Sequence, residues 1–192
     1  IFNGSKKEAQ KIFGLKSDLP VLLVLGGSTG ALALNQFVYK AMPEITKYIQ
    51  VIHVTGGKNA GQPKNLPHGY FSANFLGDEL KHAYAAADLV LSRAGMSTLT
   101  ELAVLGKIVI IVPLPASAQE NNARFLGIFG CALVISQKTL EQGSLTQLIR
   151  KVMFDANMQK TLAVNIRRLM PRDADKNIAT LLLKVYNQEK KK

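Results

Sequence analysis

The chain has 192 residues, 47% hydrophobic and 19% charged, enough to bury a sizeable core as one large domain or a domain plus a tail. Its single cysteine, Cys131, excludes an internal disulfide and points to a reducing compartment, where a lone thiol in apolar surroundings reads as core rather than nucleophile. Lys and Arg exceed Asp and Glu by 24 to 13, a formal net charge of +11, which favours an anionic partner (nucleotide phosphate, acidic lipid or nucleic acid) without choosing among them.

No apolar run approaches the roughly 20 residues a spanning helix needs, and no signal peptide is expected from the residues that open the chain. It starts at Ile1 rather than Met, which leads us to expect part of a longer polypeptide. Residues 1–19 are polar and basic, with a helix expected over Lys6 to Phe13 that ends at Gly14, and read as a lead-in from upstream sequence. Val21 to Leu25 is a strand-length apolar run followed at once by Gly26-Gly27-Ser28-Thr29-Gly30-Ala31. Leu34, Phe37, Val38, Ala41 and Ile45 then share one helical face, completing the first half of a parallel crossover unit.

The glycine loop lacks the Gly-x-Gly-x-x-Gly spacing, and the second strand, Val51 to Thr55, ends in Gly56-Gly57 with no acid for an adenosine ribose. Gly57-Lys58-Asn59 likewise lacks the pattern of a nucleoside-triphosphate loop. A dinucleotide or ATP site is therefore not expected. A loop with little side chain still lets a ligand come near the backbone.

Asn59 to Gly69 reads as an exposed loop, Tyr70 to Phe75 as a short strand, and Asp78 to Ala86 as a helix with acids at its positive end. Leu89 to Ser92 is a buried strand running into Arg93-Ala94-Gly95, and the helix after it ends at Gly106. Ile108 to Val112 is the fifth strand, followed by a proline-stiffened loop and a helix from Gln119 to Phe129 closed by Gly130; Ala132 to Ile135 is the sixth strand. Two amphipathic helices follow, marked by Leu145, Leu148, Ile149 and Val152 and by Met158, Leu162, Ile166 and Leu169. Pro171 separates a last helix with Ile178, Leu181, Leu182 and Val185 inward, and residues 188–192 form a charged tail. Six strands alternating with helices predict an α/β fold: an open, doubly wound, parallel six-stranded, Rossmann-like sheet over residues 20–187. Such sheets bind ligands at the carboxyl ends of their strands, where strand order reverses.

The stretch Gly95-Met96-Ser97-Thr98-Leu99-Thr100-Glu101 supports two readings. Thr98 and Glu101 fit a capping box that touches no ligand. Alternatively, the helix start attracts a phosphate while Glu101 accepts from a vicinal diol such as a ribose. Gln119 and Asn122 are either a solvated first turn or contacts to a hydroxyl-rich ligand. His53, His68 and His82 lack ligand spacing, so no metal is expected, and Ser97 does not sit in a nucleophile elbow. Lysines do not cluster beside Phe71 and Phe75, so nucleic acid is not expected.

Gly26 to Ala31, Asn35-Gln36, Phe75-Leu76, Ala85-Ala86-Ala87-Asp88, Ser92-Arg93-Ala94-Gly95, Thr98 to Glu101, and Gln119 with Asn122-Ala123 follow one order across Val21 to Tyr186. In them the chain resembles the carboxyl-terminal, donor-binding domain of the MurG family (glycosyltransferase family 28), one half of a GT-B fold. Thr29 and Ala118 depart from the family pattern, which has glutamine and histidine there. The resemblance implies the donor half of an inverting, metal-independent and cofactor-free hexosyltransferase. Such an enzyme moves N-acetylglucosamine from UDP-GlcNAc to an undecaprenyl-linked muramyl pentapeptide, turning lipid I into lipid II for peptidoglycan synthesis. It works as a peripheral protein on the inner face of the cytoplasmic membrane.

Carried over by position, the resemblance implies that Gly27, Ser28, Thr29 and Gly30 approach the donor diphosphate and that the Leu76 backbone recognises uracil. Gly95, Met96, Ser97 and Thr98 meet the phosphates, Glu101 binds the ribose, and Gln119 contacts the sugar, with Asn122 in the same substrate-binding set. It places the acceptor site and the catalytic base in an amino-terminal half, leaving no catalytic residue here. Rival readings are a glycolipid glycosyltransferase with a diacylglycerol acceptor, or a noncatalytic donor-binding subunit of a two-component transferase.

Overall fold

The computed structural model describes residues 1–27, 31–57, 61–140, 142–171 and 173–189. The elements in order are α1 (Lys6–Phe13), β1 (Val21–Leu25), α2 (Leu32–Ile45), β2 (Gln50–Val54), β3 (Tyr70–Ala73), α3 (Leu80–Ala86), β4 (Leu89–Ser92) and α4 (Met96–Leu105). Then come β5 (Val109–Ile111), α5 (Gln119–Ile128), β6 (Leu133–Val134), a 3₁₀ turn (Gln137–Thr139), α6 (Gln142–Phe154), α7 (Ala156–Arg167) and α8 (Ala174–Glu189). The six strands form one sheet in the order β3-β2-β1-β4-β5-β6, every neighbouring pair parallel. The expected doubly wound α/β sheet is therefore present, and its strand order reverses between β1 and β4.

Alternation along the strands divides the core between the two faces of the sheet. Leu23, Leu25, Val90, Val109 and Ile111 join Phe13, Tyr84, Leu102 and Leu126 on one side. Leu22, Val24, Leu89, Leu91 and Ile110 join Leu34, Val38, Ile45, Leu145 and Ile149 on the other. Helices cover both faces, which is why β1 is buried along its whole length.

The lead-in is packed onto this domain. Ala9 and Phe13 of α1 are in the core, the Ser5 N–H donates to His82 Nδ1 at 3.0 Å, and Gln50 bonds the backbone of Lys16 and Leu19. Gly14 ends α1 with φ 64°, the left-handed closure expected of it.

Two expectations are corrected. The third helix begins at Leu80, not Asp78: Glu79 accepts the Gly77 N–H at 3.0 Å and Asp78 pairs with Lys81 at 2.5 Å, so both acids finish a turn before the helix. In α8, Ile178, Leu181, Leu182 and Val185 are exposed by 60%, 61%, 65% and 49%, not turned inward. Leu183 and Tyr186 are exposed as well, so no face of α8 is covered by the described residues. Periodicity tells which residues share a face, not what that face meets. No helix among the described residues is long and apolar enough to cross a membrane.

Candidate functional site

β1 and β4 stay paired to their carboxyl ends, Leu25 beside Ser92, but the segments after them lead to α2 and α4 on opposite faces of the sheet, and two adjoining depressions open there. The larger, of about 520 Å³, lies between Gly26-Gly27 after β1, Arg93 and Gly95 to Thr98 after β4, and Gln119 at the start of α5. The smaller, of about 160 Å³, is walled by Phe75, Leu76, Tyr84 and Glu101. Gly27 and Thr98 line both, so the two form one bent groove.

At the bend stands the start of α4. Its N-cap is Gly95, and no side chain caps it. The N–H groups of Met96, Ser97 and Thr98 precede the first intrahelical bond, Leu99 N–H to Gly95 C=O at 3.0 Å. Three unsatisfied amides and the positive end of the helix dipole therefore meet at the groove's floor. The capping-box reading of Thr98 and Glu101 is corrected by this geometry. Thr98 is the third residue of the helix rather than its cap, and Glu101 sits a further turn along.

Glu101 instead accepts a hydrogen bond at 2.6 Å from the Tyr84 hydroxyl of α3, which burial, and then this bond, hold well above the ordinary tyrosine value. Leu76, buried at the wall, makes no backbone hydrogen bond among the described residues. Gly27, the second residue after β1, has φ 81°, a left-handed conformation that explains glycine at that position. Ser28, Thr29 and Gly30 lie outside the described residues.

The α5 residues are neither a solvated turn nor wholly ligand-facing. Gln119 Oε1 accepts from the N–H groups of Ala94 and Leu114, both at 3.1 Å, and Asn122 Nδ2 donates to the Ala94 C=O at 3.0 Å. Between them these two amides clamp the peptide that leads from β4 into α4. Gln119 Nε2 makes no hydrogen bond among the described residues, and is the part of that side chain left for a ligand in the larger depression.

Sequence reasoning left two functional side chains unassigned. Tyr84, read only as helix, holds the carboxylate. Arg93, quoted only as part of a motif, is 7% exposed and lines the larger depression. Its guanidinium donates to the Val112 and Pro113 carbonyls at 3.1 and 3.0 Å and to Gln137 Oε1 at 2.6 Å. Burial lowers its pKa, yet an arginine stays cationic, and among the described residues it has no carboxylate partner. A charge at the end of an otherwise apolar strand was the signal for it. Asp88 is structural, accepting the Val21 N–H at 2.9 Å. Cys131 is buried, with its thiol pushed up by desolvation, as a core cysteine should be. No group of three or more metal-ligating side chains occurs among the described residues.

Residues 21–178 match the glycosyltransferase family 28 C-terminal domain. The chain belongs to that family. As a family 28 domain it is 35% identical over 189 residues to the UDP-N-acetylglucosamine--N-acetylmuramyl-(pentapeptide) pyrophosphoryl-undecaprenol N-acetylglucosamine transferase of Lachnoclostridium phytofermentans, covering 96% of this chain and 52% of that protein. The transferase of the same name from a Nocardioides species is 34% identical, with 94% and 51% covered. The crystal structure of Acinetobacter baumannii MurG aligns with a TM-score of 0.73 at 28% identity, over 93% of this chain and 53% of that one. Spinosyn forosaminyltransferase, at 15% identity and a TM-score of 0.68, shares the fold. The family 28 domain described here thus spans about half the length of these relatives.

Proposed function

We propose that residues 20–187 bind UDP-N-acetylglucosamine as the donor half of a hexosyltransferase that acts on an undecaprenyl-linked muramyl pentapeptide. One observation carries the reading: the two depressions meet at Gly27 and Thr98, beside uncapped helix amides. A nucleoside diphosphate sugar has the same plan. The nucleoside suits the smaller, less polar depression, with its base against the Leu76 backbone and its ribose on Glu101. The diphosphate suits the amides of Met96, Ser97 and Thr98, and the sugar suits the larger space beside Gln119, while Asn122 lines neither depression and serves by holding the Ala94 peptide.

The chemistry follows from where charge develops. As the sugar leaves, negative charge grows on the diphosphate, and fixed N–H dipoles with the Arg93 cation in a partly desolvated groove stabilise it. No side chain of this chain is assigned as the base. The lipid acceptor comes from the names of the relatives above. It implies work at the inner face of the cytoplasmic membrane, in cell-wall synthesis, with no nucleic-acid partner. Titration with UDP-GlcNAc, UDP-glucose and ADP tests the reading: UDP-GlcNAc should bind most tightly and ADP weakly. Equal affinity for ADP refutes it, and turnover of the lipid acceptor by this chain alone refutes the assignment of the base elsewhere.

A further inference from the structure

We propose that Tyr84 is a positioning residue that sets recognition of the nucleoside's 2′ and 3′ hydroxyls by presenting the Glu101 carboxylate in one orientation. The proposal rests on the donor-site reading above. Tyr84 and Glu101 stand on α3 and α4 and wall the same depression, 17 residues apart in sequence. The hydroxyl–carboxylate distance of 2.6 Å is that of a charge-assisted O–H···O⁻ bond. The phenol ring is 1% exposed and embedded in the core with Ala83, Ala86 and Leu102, so its oxygen is a fixed point. Glu101 is only partly buried, a glutamate side chain has several rotamers open to it, and this is its one hydrogen bond among the described residues. The bond therefore selects one side-chain arrangement for Glu101 before any ligand arrives.

The choice of a phenol matters. An arginine would take both carboxylate oxygens in a bidentate pair and neutralise them. A neutral phenol anchors Oε2 alone, leaves Oε1 unpaired among the described residues, and keeps the full negative charge for a diol. The proposal thus makes the pair a reader of ribose against deoxyribose.

The test is a titration of this chain with UDP and with 2′,3′-dideoxy-UDP, in the wild type and in Tyr84→Phe. The wild type should prefer UDP about tenfold or more, because hydrogen bonds to a charged group are lost with the hydroxyls. In Tyr84→Phe, UDP should bind about tenfold more weakly while the dideoxy compound is little changed, so the preference collapses. Tyr84→Met gives the same comparison if the phenylalanine variant does not fold. A buried tyrosine that merely satisfies its own hydroxyl would leave the preference intact, and that result overturns the positioning role while the donor site stands. A wild type that binds UDP without any preference overturns the ribose role of Glu101, and the role of Tyr84 with it.

Discussion

Replacing Gly95 by alanine should move stability and ligand binding in opposite directions. Gly95 caps α4 with φ −72° and ψ 135°, an extended conformation any residue adopts, and a Cβ there would meet no atom within 4 Å. The fold itself has no need of glycine at this position. Alanine restricts the unfolded chain more than glycine does, so the variant should gain about 0.4–1 kcal/mol, roughly 1–4 °C in melting temperature for a chain of this size. Gly95 also lines the larger depression, so the same methyl is expected to take up space that an anion held by the amides of Met96 and Ser97 would need. Losing one charge-assisted hydrogen bond costs about 1.5–3 kcal/mol, so UDP should bind roughly 10- to 150-fold more weakly. Calorimetric melting and a UDP titration on the same preparation measure both. Unchanged UDP affinity would refute the diphosphate site at α4, and a destabilisation beyond about 1 kcal/mol would refute the account of the cap. Gly26 is the contrast: a Cβ there would lie 3.2 Å from the Ala31 nitrogen and 3.4 Å from Asn35 Oδ1 and the Val54 oxygen, so its substitution should destabilise the fold.

Glu101→Ala should cost about 1–3 kcal/mol in urea unfolding, because it orphans the buried Tyr84 hydroxyl. Glu101→Gln keeps an acceptor there and should cost clearly less; equal losses would count against the pairing. A pH prediction comes from His53, which is fully buried between Tyr70 and Asn35, donating from Nε2 to Asn35 Oδ1 at 3.0 Å while Nδ1 accepts from the Tyr70 hydroxyl. Asn35 Nδ2 donates to the Thr55 C=O at 2.9 Å, which orients Oδ1 toward the imidazole. Burial lowers the His53 pKa from 6.5 to about 3. The unfolded chain therefore takes up this proton first, and stability contributed by neutral His53 is complete above pH ~6.5 and falls progressively as pH drops toward about 3. Between pH 7.5 and 5.0 the loss should be about 2 kcal/mol by denaturant titration, and His53→Gln, although less stable, should lack this component of the slope.

The pieces of the fold that depend on near neighbours in sequence were legible from the residues. Val21 to Leu25 alternates between two apolar clusters, Gly14 and Gly106 close their helices in the left-handed region, and Gly27 takes a positive φ in the glycine turn after β1. Strand, turn and helix periods are local, and a handful of residues suffices to set them. The crevice was legible too, since parallel crossovers of one hand leave few strand orders to choose from.

What each polar side chain does there was decided only by tertiary structure. Thr98 and Glu101 have the spacing of a capping box, but the partner that wins is Tyr84, brought alongside because α3 and α4 flank β4. Gln119 and Asn122 look like a solvated turn until β5 sets them beside Ala94, 25 and 28 residues away in sequence. The apolar stripe of α8 has the period of a buried helix, yet both sheet faces are already covered when the chain reaches it. A hydrogen bond or a hydrophobic contact is short-ranged, so its partner is fixed by which elements the sheet order makes adjacent. Spacing along the chain records the offer of a side chain, and only the packed sheet determines which offer is taken.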